Sequence, residues 1–495
     1  MSRSRALALG LLGVMGLLLL VLVLSAGNAT AADPAIYEGD PDLAQAVIDG
    51  NCTGSGTADD PYLFEDQVFE CAGYSYGLWF QNITEHVMIV NSTFNNTYAV
   101  DYLQEGVGVV LVNCSNVDIA NCTFTNARYG ILIGSSDNCS VQAVIAAELC
   151  AVTILDSENI TISNSFLNAS AINAVKVVNG DAISFQDCAV LGAGIDGFLL
   201  TNCANVVVRN VNIDAWGSHY ALVIENNAGP IDISECRMFN LTLGSSGVNG
   251  MAIRLHQASN VNIEDCSFVE APVSIGVLDS DNVTITNCVV ETDIGLWVSG
   301  SDWVEMTANG MLTPASPTAR FAYVQQSSFI AVNDSVIGVV GLGISVTGSQ
   351  FVVVNNTLVY AITVSSNSAI YFQNSNNFTV SWSTITSCDG AAISLEDCQD
   401  FSVTNNSIWN SQSGGVTTDL CSRGEFAHNS LINLVGQAMQ VRGDNLTVLA
   451  NSFTGIGDAA IYAAMVDGKI GGNLVQDSEV SIWMHACANV LVIDN

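Results

Sequence analysis

The chain has 495 residues and a formal net charge of −36, with 11 lysines and arginines against 47 acidic residues. Such a surface argues against nucleic acid, which needs a basic footprint, and against polyanionic glycans such as pectate or alginate unless Ca²⁺ bridges them. It also keeps a repetitive β-protein soluble.

Ser2-Arg3-Ser4-Arg5 precedes an apolar run from Ala6 to Leu24, and Ala29-Thr30-Ala31 fits a small-residue cleavage pattern. Residues 1–31 therefore read as an export signal. The run is about 19 residues long, which also suits an uncleaved membrane anchor. Residues 32–85 read as an N-terminal cap with the first strands, and DPDLAQAVIDG (40–50) as one brief helix. Cys52 and Cys71 lie outside the repeats of an exported chain and are expected to form a disulfide.

From residue 86 to 495 one pattern recurs. In VSIGVLDSDNVTITNCV (273–289), Val273, Ile275 and Val277 alternate with small residues, a polar bend follows, and Val283 and Ile285 begin a second alternation. Period-two alternation on a β-branched background is a strand signal. Asn282 stands at the bend, where the left-handed conformation is needed. Equivalent positions are His86, Asn116, Asn138, Asn159, Asp181, Asn205, Pro230, Asn260, Asn282, Asp302, Ser328, Gln350, Asn377, Asp400, Gly424, Asn445, Gly468 and Asn489, spaced 20 to 30 residues apart. Units this short cannot bury their own apolar face and must stack. The expected fold is all-β, a single-stranded parallel β-helix of about 17–18 coils, one per repeat. The chain stops within VLVIDN, so the last coil reads as uncapped.

YGILIGSSDN, MAIRLHQASN, AAISLEDCQD and VSIWMHACAN resemble the right-handed parallel β-helix repeat of pectate-lyase-like and NosD-like proteins. GSGTADDPYLF (54–64) is similar to the motif that precedes the first coils in secreted microbial members. The resemblance covers residues 50–495. It implies the right-handed fold and leaves function open, because this fold hosts lyases, hydrolases, epimerases, adhesins and spacers.

The chain has 15 cysteines and no CxxC pair; beyond Cys52 and Cys71 they fall at repeat positions, and Cys236, Cys266 and Cys288 belong to three successive coils. They read as small core residues, with inter-coil disulfides as the second reading. Asn121, Asn164, Asn210, Asn287, Asn333, Asn355, Asn405, Asn429 and Asn473 share one repeat position and are expected to stack as a hydrogen-bonded amide ladder.

The resemblance implies that any site lies on an outer strip formed by the first strand of each coil. From Lys176 its outward residues read Leu199, Leu222, Arg254, Gly276, Trp297, Tyr323, Ser345, Tyr371, Ser394, Thr417, Gln440, Tyr462 and Trp483. Trp297, Tyr323, Tyr371, Tyr462 and Trp483 are the candidate carbohydrate-binding residues, through the apolar faces of their rings. Asp196, His219, Arg254 and His256 are the candidate catalytic residues. GIDGFLLTN resembles a polygalacturonase stretch, but His219-Tyr220 stands where that family has paired Asp, and no Gly-His-Gly or Arg-Ile-Lys follows. Long insertions at 241–250 and 311–319 flank this region, as site walls do.

Five histidines and scattered methionines form no ligand set, so no metal site is expected and Ca²⁺ alone stays open as a cofactor. The expected protein is a secreted or cell-surface β-helix, non-catalytic, that binds glycans or a surface protein as an adhesin or spacer. The alternative is a polysaccharide lyase, hydrolase or epimerase working at residues 196–323.

Overall fold

The computed structural model describes residues 30–71, 74–95, 106–169, 173–192, 194–216, 219–241, 250–312, 319–338, 341–360, 362 and 368–495. The apolar run read as part of an export signal and most of the two insertions lie outside these residues. Among the described residues no helix is long and apolar enough to cross a membrane. The chain forms two compact units, Met1–Ala171 and Ile172–Asn495.

In the first unit, the strand Thr30–Ala32 pairs in parallel with Gln67–Phe69, and Ala35–Glu38 pairs with Leu78–Gln81. Helix α1 (Asp40–Ile48) follows, with Pro41 in its first turn and Leu43 and Ala46 buried. Pro suits that turn because its missing N–H would have no intrahelical partner. The Asp40 carboxylate accepts the N–H and O–H of Thr84 at 2.8 and 2.7 Å and the N–H of Glu85 at 3.1 Å, which ties α1 to a coil. Inside, Phe69, Phe94 and Phe124 stack with centroids 4.8 Å apart and planes 5° from parallel. The expected Cys52–Cys71 bridge is not formed. The Cys52 thiol turns to the Leu43 carbonyl and that of Cys71 to the Phe69 carbonyl, and burial pushes the two thiols up to about 11 and about 12.

The second unit is built of coils with three short strands, each paired in parallel with its equivalent one coil on. Six first strands carry the candidate site. They are β1 (Asp196–Thr201), β2 (Tyr220–Glu225), β3 (Met251–His256), β4 (Val273–Leu278), β5 (Ile294–Ser299) and β6 (Arg320–Gln325). Phe198, Leu222, Ile253, Ile275 and Leu296 are in register from β1 to β5 and fully buried. Each such side chain stabilises by ~1.5–3 kcal/mol relative to exposure. The parallel β-helix inferred from the repeat is therefore the observed architecture.

The bends are left-handed, with φ between 51° and 56° at Asn205, Asn260, Asn282, Asn377 and Asn445. At Asp181, Asp302, Ser328 and Gln350 the bend falls one residue later than expected, on Ala182, Trp303, Phe329 and Phe351; at Gly424 and Gly468 it falls one earlier, on Arg423 and Asp467. The asparagine ladder also splits in two. Asn210, Asn287 and Asn405 are left-handed turn residues facing outward, whereas the buried column is Asn406, Asn429, Asn451 and Asn473. Within it, the Asn406 side chain donates to the Val380 carbonyl at 2.9 Å and to Asn429 Oδ1 at 3.0 Å. Earlier coils fill this column with Cys236, Cys266 and Cys288, aligned by the pairing of their strands. All 15 cysteines are free thiols.

Candidate functional site

Strand register fixes the outer strip. Leu199, Val223, Arg254, Gly276, Trp297, Tyr323, Ser345, Tyr371 and Ser394 are successive partners, and Tyr462 pairs with Trp483 further on. Val223 stands where Leu222 was expected. Leu222 is the partner of Phe198 and fully buried, because a one-residue slip in reading an apolar strand exchanges its two faces. Gly276 leaves room that Met251 fills, since a Cβ there would stand 2.3 Å from the Met251 sulfur.

The ionisable residues meet at the head of this strip. Asp196 opens β1, and the following Gly197 has no space for a side chain, because its Cβ would stand 2.4 Å from the Ala221 carbonyl oxygen. This lets the coils close tightly around the carboxyl. Asp196 is 7% exposed, and its Oδ1 is buried without a hydrogen-bond partner. Burial pushes the carboxyl from its ordinary value to about 7; the Arg254 guanidinium opposes that shift, the Glu225 carboxylate adds to it, and the Tyr220 backbone N–H opposes it.

Arg254 projects from β3 to both sides. Its Nη1 lies 2.5 Å from Glu225 Oε1, and its guanidinium carbon stands 5.5 Å from the centre of the Tyr220 ring. Tyr220 is in turn the strand partner of Asp196. The four residues Asp196, Tyr220, Glu225 and Arg254 thus form one constellation over three coils. Glu225 is absent from the set expected on sequence, although its place two residues after Val223, on the same face, was available as a signal.

The two histidines are arranged differently. The His219 backbone N–H donates to the Ile195 carbonyl at 2.9 Å, and its ring is 6.4 Å from that of Tyr220. His256 is the strand partner of Glu225, and its Nε2 lies 3.8 Å from Asp279 Oδ2.

The aromatic residues do not make one flat platform. Trp297 and Tyr323 have centroids 6.3 Å apart and planes inclined by 47°, and Tyr462 and Trp483 meet edge to face at 76°. Arg320 lies 4.6 Å over the Tyr323 ring, and the Gln325 amide donates to the Tyr323 hydroxyl. Trp297 Nε1 is buried and unpartnered. Tyr371 donates its hydroxyl to Glu396 at 2.6 Å; burial first, then Glu396, raises its pKa. Each ring is a separate stacking surface.

A third aromatic set lies off the strip. Trp303, Phe329 and Phe351 occupy one bend position in three successive coils and are 61%, 40% and 42% exposed.

No curated protein sequence matches the chain. Solved structures with a similar course include a DFA-IIIase from Arthrobacter chlorophenolicus A6 without its lid, at 13% identity over 58% of this chain and 83% of that one, with a TM-score of 0.39. The tailspike protein of E. coli bacteriophage HK620 in complex with pentasaccharide is 14% identical over 76% and 73%, with a TM-score of 0.37. PfbA, a surface adhesin of Streptococcus pneumoniae, is 11% identical over 74% and 85%, with a TM-score of 0.29. The family model described as a right handed beta helix region matches residues 107–248 and 320–480, more than half of the chain, and the protein belongs to that family.

Proposed function

We propose that this is an exported β-helix protein that holds glycan chains along the outer strip of its second unit. The observation that carries this reading is the register column itself, which sets Arg254, Trp297, Tyr323 and Tyr371 on one outer line. Alternating rings and hydrogen-bonding groups fit a sugar polymer, whose residues present apolar faces and hydroxyl edges. Arg320, Gln325 and Glu396 supply the polar groups beside the rings. The charge of −36 favours neutral glycans over polyanions. The export signal expected at residues 1–31 supports placing this binding at a cell surface, as an adhesin or spacer would do it.

The test is retention of the full chain on neutral and acidic polysaccharides with and without Ca²⁺. Trp297→Ala with Tyr323→Ala is expected to lower retention on a neutral polymer about tenfold without changing the fold, as loss of two stacking contacts would. Unchanged retention would remove the strip from consideration.

A further inference from the structure

We infer that Asn282 and Asn377 are attachment sites for N-linked glycans, each with its first sugar resting on an aromatic ring of the adjacent coil. This takes only the export from the reading above and concerns the bends rather than the outer strip.

Both residues open the acceptor triplet Asn-x-Ser/Thr, as Asn282-Val283-Thr284 and Asn377-Phe378-Thr379. The repeat makes the triplet recur, and the fold sorts its copies. In these two the asparagine is exposed at a left-handed bend, the middle residue is buried, and the threonine is on the outward face of the strand. Asn333-Asp334-Ser335 and Asn355-Asn356-Thr357 are shifted by one residue. There the bends are Asp334 and Asn356, and the Ser335 and Thr357 hydroxyls are buried, donating to the Asn333 and Asn355 carbonyls at 2.9 and 3.1 Å.

The bend column supplies the second observation. Strand pairing aligns Asn282 with Trp303 and Asn377 with Phe351, so the two asparagines stand at opposite ends of one aromatic stack. Phe329 covers one face of Trp303 and one face of Phe351, and their other faces look toward the coils of Asn282 and Asn377. Among the described residues no further ring covers those faces, and both rings stay exposed. A pyranose presents an apolar face that packs on such a ring. The Asn282 amide donates to Asn260 Oδ1 at 2.5 Å and that of Asn377 to Asn376 Oδ1 at 3.2 Å. A glycosylated amide keeps one N–H, so each of these bonds survives the modification.

The co-reactant is an oligosaccharide linked through a diphosphate to a membrane lipid on the export side. The asparagine Nδ2 bonds to the anomeric carbon while the bond from that carbon to the diphosphate oxygen breaks. The lipid diphosphate leaves with the electron pair, and the displaced amide proton passes to solvent. Nothing is oxidised or reduced.

The full chain is isolated from the cells that export it, and its glycopeptides are sequenced by electron-transfer fragmentation. Asn282 and Asn377 are expected to carry sugar. Thr284→Val and Thr379→Val remove the acceptor hydroxyl while keeping a branched strand residue and the bend asparagine. Each should abolish sugar at its own site alone and lower the urea midpoint. With the neighbouring ring already removed, by Trp303→Ala or Phe351→Ala, the same substitution should cost roughly half as much or less. Asn445-Leu446-Thr447 is the comparison without a ring, because Arg423 and Asp467 flank Asn445 in the column. Thr447→Val should therefore shift the midpoint less than Thr284→Val or Thr379→Val. Bare asparagine at both sites of an exported chain overturns the inference and leaves the strip reading intact. Midpoint losses equal with and without the rings overturn the contact between sugar and ring. A chain found only inside the cell would remove this inference together with the cell-surface placement.

Discussion

Phe329 stacks on Trp303 with centroids 4.3 Å apart and planes 4° from parallel, and Phe351 continues the stack at 4.8 Å and 5°. All three have left-handed backbones, at φ 57°, 56° and 53°. A bulky residue is disfavoured there, and neighbouring coils place asparagine at the position. Each face-to-face contact contributes ~0.5–1.5 kcal/mol, which offsets part of a backbone cost of ~1–2 kcal/mol per residue. The rings cover one another, so only their edges reach solvent along the middle of the stack. A sugar ring finds no free face on Phe329, which makes the set a clamp between coils.

The clamp predicts an ordering. Phe329 has two ring partners, whereas Trp303 and Phe351 each have one in the stack. Phe329→Ala is expected to destabilise by ~1–3 kcal/mol and more than Trp303→Ala or Phe351→Ala. Phe329→Asn should lose less than Phe329→Ala, because asparagine tolerates the bend. Urea midpoints of the four variants check this; a larger loss at either end of the stack would contradict the clamp.

The buried asparagine column predicts a steeper loss. The Asn429 backbone N–H donates to Asn451 Oδ1 at 2.9 Å, its side chain donates to the Val403 carbonyl at 2.8 Å, and its own Oδ1 accepts the Asn406 N–H at 2.9 Å. Asn429→Ala leaves a buried carbonyl and a buried N–H without partners and should cost ~2–4 kcal/mol. Asn429→Ser should recover part of this, since Ser383 fills the same column two coils earlier. Asn405→Ala, on the outward turn one residue before Asn406 of the column, should cost much less. Equal losses at 405 and 429 would show that the column is not what holds these coils together.

Much of this was legible in the sequence because the repeat writes its period twice, in the apolar alternation and in the polar bends. The misplaced bend and strip positions are one-residue slips. Leu222 was placed outside and Val223 inside because Ala221 to Ile224 are all apolar, so alternation carried no phase. Asp302 was taken for the bend because an aromatic residue in a left-handed turn is improbable, yet Trp303 sits there, held by stacking that only the fold reveals. The site was legible where charge is rare. Asp196 and Arg254 stood out, but Glu225 did not, because its partner Arg254 is 29 residues away and reaches it across coils.

Asp196 makes stability depend on pH. Its carboxyl is raised from 3.8 to about 7, with burial as the main cause. Between those values the folded protein holds a proton that the unfolded chain releases. Stability is therefore highest with respect to this group below about pH 4 and is lost as pH rises to about 7, by on the order of a few kcal/mol. Asp196→Asn should flatten that slope and leave the variant more stable than wild type near pH 8. The Arg254 guanidinium, the Glu225 carboxylate and the Tyr220 backbone N–H all act on the group. Parallel slopes for wild type and Asp196→Asn would place the titration elsewhere.

The thiols give a prediction that needs no ligand. Fourteen of the 15 cysteines are buried, and only Cys487 is partly exposed. Burial pushes Cys71, Cys122, Cys139 and Cys388 up to about 12, so little thiolate exists at neutral pH even when a reagent reaches them. A maleimide or aromatic disulfide reagent is expected to label Cys487 alone in the native protein, and Cys487→Ser should abolish the fast phase. After unfolding without reductant the count should rise to 15. A count of 13 would mean that one pair is oxidised in solution. Cys52 and Cys71 would then be examined first, because neither belongs to the stacked columns.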